Sequence, residues 1–279
     1  MAVRAKNISA EDKRIGTTMA DRADRHELYE ESVQNVEDEC VFISQTFQGI
    51  RGREPKLFRE DFCGTASAAC YWVRLGKGHR SIGVDIDSEV LEWGRGNRLK
   101  RLSPQQQARV TLIQADVMSA QTDAVDVVGA LNFSYWIFKT RSRLREYCEK
   151  VHAALKPDGM FFLDAFGGYE AFEETKEKTK YDNFTYVWDQ AHYYPVTGGL
   201  ICHIHFKFPD KSKLKKAFSY DWRLWTLPEL TEVLAEAGFA KSTVYWEGTD
   251  EDGEGDGEFT PEVQGEADAG WIAYIVAEK

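Results

Sequence analysis

LFREDFCGTASAAC, residues Leu57 to Cys70, opens as an apolar strand and ends on two carboxylates, Glu60 and Asp61. It turns through Cys63, Gly64 and Thr65 and enters a small-residue helix at Ala66 to Ala69. In an open α/β sheet such a strand, turn and helix stand where ligands bind, because the strand ends form a crevice and the helix start presents free amides. Gly64 allows a ligand to approach the backbone, although relief of a tight turn accounts for the same glycine.

Outward from this stretch, from Pro55 to Phe166, short apolar runs alternate with helical ones. KLFREDF, SIGVDI, VTLIQAD, VDVVGALNF and GMFFLDAF read as strands; SAACYWVRLG, SEVLEWGRGNRLKRL and SRLREYCEKVHAAL read as helices. Lys156 to Gly159 reads as the turn between the last helix and its strand. Alternation of this kind predicts parallel strands joined by right-handed crossovers, a doubly wound α/β sheet with helices on both faces. Apolar spacing between Met19 and Phe47 predicts one or two helices, so residues 1–54 form an N-terminal helical segment and 55–279 the main domain. Aromatic, alternating runs over 181–225, broken by PVTGG and PDKSK, predict an antiparallel β-rich lid insertion. TLPELTEVLAEAG is a helix with Thr226 as N-cap, Pro228 in its first turn and Gly238 at its end. STVYWEG and WIAYIVAE are closing strands around an acidic loop from Thr249 to Gly270.

Composition narrows the class. With 279 residues, 43% hydrophobic, the chain can bury a large core. Its 35 basic and 46 acidic residues leave a net charge of −11, which works against a broad phosphate-backbone footprint and permits a cationic or neutral ligand, a small molecule being preferred over RNA or protein. The basic stretch Lys207 to Lys216 reads as a solvated turn between strands. Five scattered cysteines, none paired at CxxC spacing, suggest neither a disulfide framework nor a zinc knuckle. No signal-like run opens the sequence and no segment approaches the roughly 20 apolar residues of a membrane span, so a reducing, cytoplasmic setting is expected. Nothing here specifies oligomeric state.

Polar groups recur at successive strand ends. Asp85 follows Gly64 by 21 residues, near the offset at which an acid meets ribose hydroxyls in nucleotide-binding units, while Asp87 suits the N-cap of the next helix. Asp116 ends a third strand, and Asn132, Phe133, Ser134 and Tyr135 a fourth. Together with NFSYW and LKPDGMFFLDAF, these motifs resemble those of class I S-adenosylmethionine-dependent methyltransferases from Lys56 to Phe166. The resemblance implies a seven-stranded Rossmann-like sheet of order 3-2-1-4-5-7-6, with S-adenosyl-L-methionine as cofactor. It places the methionine part on Glu60, Cys63 and Gly64, the ribose on Asp85 with Ile86 beside it, and the adenine amine on Asp116 with Val117. Asn132 and Phe133 complete the set, and Tyr29 in ELYEESVQ is read either as a residue closing over the cofactor or as helix packing. The first motif departs from D-x-G-x-G-x-G: Glu60 stands for the aspartate, Phe62 for the first glycine and Ala66 for the last. Phe62 fits only if its ring points into sheet or helix packing, and Asp61 is a second acid for the same contact.

Methyl transfer is an in-line displacement, so the protein's task is alignment and exclusion of water. Tyr135, His192, His203 and Asp221 are candidate bases, and Arg223 a candidate partner for a substrate carboxylate. Along YDWRLW, alternation places Asp221 and Arg223 opposite Tyr220, Trp222 and Leu224. His203 and His205 share a strand face, but packing or surface roles explain them and no metal is expected. The stretch from Asp250 is not a calcium loop, since its twelfth position is Pro261. The lid aromatics suit a cationic amine, a flat ring or plain core packing. Competing readings are a NAD-dependent oxidoreductase, for which the G-x-G-x-x-G fingerprint is absent, and a non-catalytic nucleotide-binding protein.

Overall fold

The computed structural model describes residues 18–250 and 255–279; the polar start at 1–17 and the centre of the acidic stretch at 251–254 lie outside the described residues. Three helices come first: α1 (Met19–Arg22), α2 (Arg25–Ser32) and α3 (Val36–Arg51). Spacing at Val36, Cys40, Ile43 and Phe47 gives α3 one apolar stripe, and the helix ends where Gly52 takes a φ of 68°. That stripe packs on Phe58, Trp72 and Phe162. Each fully buried large side chain of this kind contributes about 1.5–3 kcal/mol.

The parallel body follows as β1 (Leu57–Asp61), α4 (Ser67–Trp72), β2 (Arg80–Asp85), α5 (Ser88–Asn97), α6 (Pro104–Gln107), β3 (Val110–Gln114), β4 (Val125–Ala130), α7 (Arg141–Ala154) and β5 (Leu155–Gly167). The lid strands are β6 (Lys176–Lys180), β7 (Thr185–Tyr194), β8 (Gly199–Lys207) and β9 (Lys213–Arg223). Then come α8 (Leu227–Glu236), β10 (Lys241–Thr249), β11 (Gly255–Glu262) and β12 (Trp271–Glu278). Read from one edge, the main sheet runs β3-β2-β1-β4-β5-β12-β10-β11. This is the expected seven-strand order, with β12 antiparallel between β5 and β10, plus an eighth strand. Helices α3 and α4 cover one face and α7 and α8 the other.

Three local expectations need correction. The acidic stretch holds β11, an edge strand paired to β10 through backbone and anchored by Phe259 against Phe42 and Tyr274. With only one inward side chain it carries no period-two signal. Lys156 to Gly159 is not a free turn: it sits within β5 as a bulge, since Val125 pairs with Leu155 and Val127 with Met160. The N-terminal stretch forms three helices rather than one or two.

The second sheet, β6-β7-β8-β9, is antiparallel throughout. Its first strand, KEKTK, is wholly exposed and charged, which blunts an open edge and hides the strand from hydrophobic patterning. Along β8, Leu200, Cys202, Ile204 and Phe206 are buried while His203 and His205 turn to the other face. The N-terminal helices are tied to this sheet: the Met19 amide donates to Asp210 at 2.7 Å and the Ala20 amide to Ser212 at 3.0 Å. All five cysteines are free and buried, and no described helix is long and apolar enough to cross a membrane.

Candidate active site

Glu60 lies in register with Gly83 on β2 and Gly129 on β4, so the carboxyl ends of the three strands meet at one edge. In the turn after β1, Phe62, Gly64 and Ala66 all have left-handed backbones, with φ of 58°, 51° and 61°. These are the three glycine positions of the resembled motif, so its backbone path is kept although two of them carry side chains. A left-handed non-glycine residue costs about 1–2 kcal/mol, and packing offsets this here. The Phe62 ring lies 5.7 Å from Tyr147 and 6.1 Å from Phe138, and Ala66 is fully buried. A Cβ built on Gly64 meets nothing within 4 Å, which leaves open space before the backbone.

Asp85 ties this turn to β2. The Gly64 amide donates to its Oδ2 at 2.8 Å and the Asp87 amide to its Oδ1 at 2.9 Å. Asp87 caps α5 through the amides of Glu89 and Val90, leaving Asp85 to the crevice. Glu60 accepts from the Ala69 amide at 2.9 Å. Burial, reinforced by the carboxylates of Glu39 and Asp85, pushes its carboxyl up to about 8. Asp61 also borders the crevice, but its carboxylate is buried and engaged, with Arg59 Nε 2.6 Å away and the Tyr147 hydroxyl donating at 2.9 Å.

Two further elements brace the turn. Glu30 on α2 accepts from the hydroxyls of Thr65 and Ser67 and pairs with Arg98. Helix α5 approaches so closely that a Cβ on Gly94 falls 2.3 Å from the Thr65 carbonyl oxygen. Gly94→Ala is therefore expected to cost about 2 kcal/mol, roughly 6 °C of Tm, and to shift the turn; calorimetric melting checks it. After β4, Asn132 and Phe133 are also left-handed, and buried Asp164 on β5 holds them by accepting their amides at 2.6 and 2.9 Å. Burial still lifts the Asp164 carboxyl to about 7.

Two cavities open above this edge. The first, about 580 Å³, is lined by Glu60, Cys63, Gly64 and Asp85, with Phe218 from the lid. The second, about 540 Å³, lies between the lid sheet and the ends of β5 and β12. Tyr29, Asn132, Tyr220 and Trp222 line both and form a shared wall. Of the expected cofactor residues, the first cavity thus gathers Tyr29, Glu60, Cys63, Gly64, Asp85 and Asn132. Phe133 falls in the second, and Ile86 is 69% exposed outside both. Asp116 is exposed and accepts from the Met118 amide at 2.9 Å, while Val117 is buried with its carbonyl toward Arg59.

None of the expected acceptor-side groups lines either cavity. Tyr135 is fully buried and its hydroxyl donates to the Asp164 carbonyl at 2.7 Å. His203 faces Ser219 at 2.9 Å, and His192 faces Glu174 at 3.1 Å. Asp221 pairs with Lys139, and Arg223 pairs with Glu229 at 2.7 Å while lying over Trp225. The alternation along β9 is as expected, but its aromatic face turns inward. Among the described residues no group of three His, Cys, Asp or Glu is placed to hold a metal. Glu30, Asp164 and the wall residue Tyr220 are not singled out individually by the sequence; Asp164, within LDAF near the end of β5, continues the strand-end pattern and alone has a local signal.

Residues 63–161 match a family model described as a methyltransferase domain. No curated protein matches the chain in sequence. Among solved structures, an S-adenosylmethionine-dependent methyltransferase from Clostridium acetobutylicum ATCC 824 superposes with a TM-score of 0.67 at 14% identity, covering 91% of this chain and 96% of that one. CalS10, an amino pentose methyltransferase from Micromonospora echinaspora, gives 0.63 at 13% identity over 91% and 95%. The sugar N-methyltransferase KedS8 from Streptoalloteichus sp ATCC 53650 gives 0.62 at 14% identity over 100% and 98%. At such identities the likeness is one of fold. The sheet order and the glycine-type turn at its carboxyl edge define the Rossmann-like methyltransferase fold. With the match over residues 63–161, the chain carries a methyltransferase domain on a fold shared with S-adenosylmethionine-dependent methyltransferases.

Proposed function

We propose that the chain transfers the methyl group of S-adenosylmethionine to a small molecule held in the second cavity beneath the lid sheet. The observation that carries this reading is the shared wall of Tyr29, Asn132, Tyr220 and Trp222 between two chambers, one of which gathers the cofactor-type residues. The first chamber fits the cofactor chemically. Gly64 leaves room for close approach, and the acids Glu60 and Asp85 suit a ligand with a sulfonium, an ammonium and two ribose hydroxyls.

In this reading Asp85 accepts from the ribose hydroxyls, the Cys63–Gly64 turn and Glu60 hold the methionine end, and Tyr29 closes the chamber from α2. Bound there, S-adenosylmethionine supplies an electrophilic methyl carbon. The protein's own contribution is orientation and the exclusion of water by the lid aromatics. The covered second cavity and the net charge of −11 support a small acceptor, as do the amino pentose and sugar named for the two similar proteins. Free, buried cysteines agree with a reducing, cytoplasmic setting.

Calorimetric titration with S-adenosylmethionine, S-adenosylhomocysteine and NAD tests the proposal. Saturable binding of the first two and none of NAD is expected; binding of NAD alone, or of none of them, overturns it.

A further inference from the structure

The second cavity has a charge character of its own. Its charged lining residues are Glu170, Glu177 and Glu247, and no Lys, Arg or His lines it. Among the described residues none of these carboxylates is in an ion pair, and Glu247 accepts only the Gly257 amide, at 3.3 Å. Glu170 and Glu177 are exposed at the rim and Glu247 is half-buried, so together they give the chamber a negative field that favours a cation. The apolar side of the chamber is built from π faces. Tyr220 and Trp222 stack at 4.3 Å, with Trp188 at 6.1 and 6.3 Å from them. Electron-rich faces of this kind attract ammonium groups.

Gln190 supplies an independent sign. It lines the cavity, is only 5% exposed, and its amide nitrogen donates to the carbonyls of Glu170 at 3.1 Å and Glu173 at 3.0 Å. Both donors are used, so the amide cannot flip, and its oxygen accepts nothing from the described residues. That oxygen is open to accept a hydrogen bond from a ligand donor. An anionic acceptor would be repelled by the three glutamates, and an apolar one would leave the Gln190 oxygen unmatched.

We propose that the methyl acceptor is a cationic amine, its N–H groups on Gln190 and the glutamates and its hydrocarbon on Trp188, Tyr220 and Trp222, and that methylation occurs on nitrogen. This rests on the function proposed above and names its substrate class. In the balanced step the ammonium proton passes to a wall carboxylate. The nitrogen lone pair then forms the N–C bond as the S–C bond breaks, with its electron pair left on sulfur. Nitrogen carries the positive charge away and S-adenosylhomocysteine remains. Glu247 suits the proton, since burial holds its carboxyl above the ordinary range.

The test uses full-length protein saturated with S-adenosylhomocysteine and three probes of similar size: phenethylamine, 2-phenylethanol and phenylacetate. Titration by ligand-detected NMR is expected to show the amine binding at least fivefold more tightly than the alcohol, with no binding of phenylacetate. In Glu177→Gln/Glu247→Gln the preference for the amine is expected to fall to about twofold, with affinity for S-adenosylhomocysteine unchanged. Equal binding of amine and alcohol, no binding of the amine, or tighter binding of phenylacetate overturns the inference. Failure of S-adenosylhomocysteine itself to bind at the outset overturns instead the reading on which it rests.

Discussion

Replacing Asp85 by alanine is expected to weaken binding of S-adenosylmethionine and S-adenosylhomocysteine by roughly 30- to 100-fold. Both carboxylate oxygens already hold the crevice together, one through the Gly64 amide and the other through that of Asp87. Each keeps a further lone pair for a ribose hydroxyl. A hydrogen bond to a charged acceptor contributes about 1.5–3 kcal/mol, and a loss of about 2–2.8 kcal/mol corresponds to the stated range. Asp85→Asn, which keeps one acceptor oxygen, is expected to fall between alanine and the native protein. Calorimetric titration reads all three, and an alanine variant binding within threefold of the native protein would transfer the ribose role to another group.

The ligand-free protein is expected to lose stability as pH rises from 5 to 8, and Glu39→Gln to remove part of that loss. Glu39 is buried on α3 and accepts no hydrogen bond from the described residues. Burial, then the nearby Asp164 and Asp38 charges, pushes its carboxyl from 4.5 to about 8. Glu60 reaches about 8 and Asp164 about 7 in the same region. A carboxyl raised in the folded state keeps a proton that the unfolded chain has released. Its contribution is whole below the unfolded value and drains away as pH climbs through the folded one. For Glu39 that window is 4.5 to about 8. Removing one such carboxyl should recover about 1–3 kcal/mol at pH 8, on the order of 5 °C of Tm, and change Tm little at pH 5. Scanning calorimetry at the two pH values decides it: an equal Tm difference at both would mean that Glu39 ionises freely within the fold.

Legibility in the sequence followed the range of the forces involved. The parallel body, the Asp87 cap of α5 and the Thr226 cap of α8 are written in residues a few positions apart, and the structure has them there. The edge strands β6 and β11 left no such mark, because backbone pairing mainly holds them and, Phe259 aside, their side chains face water. Phe62 and Ala66 looked like departures from a glycine motif. Their left-handed backbones show that packing against α7 and α4 enforces the same path by other means.

By itself, the sequence determined the α/β class, the sheet edge at which the polar strand ends gather and the acid at the end of β2, since strand and helix periods and turn chemistry are local properties. Only the tertiary structure decided which groups share a cavity. Asp221, Arg223 and Tyr135 were credible as isolated residues, but sheet facing and burial remove them from the cavities, whereas Tyr220 is brought in from the lid and Glu30 and Asp164 come from distant elements to hold the turns beneath. A side chain's period assigns it to a face; which face meets the ligand depends on how the lid sheet docks, and that is set by contacts between residues far apart in the chain.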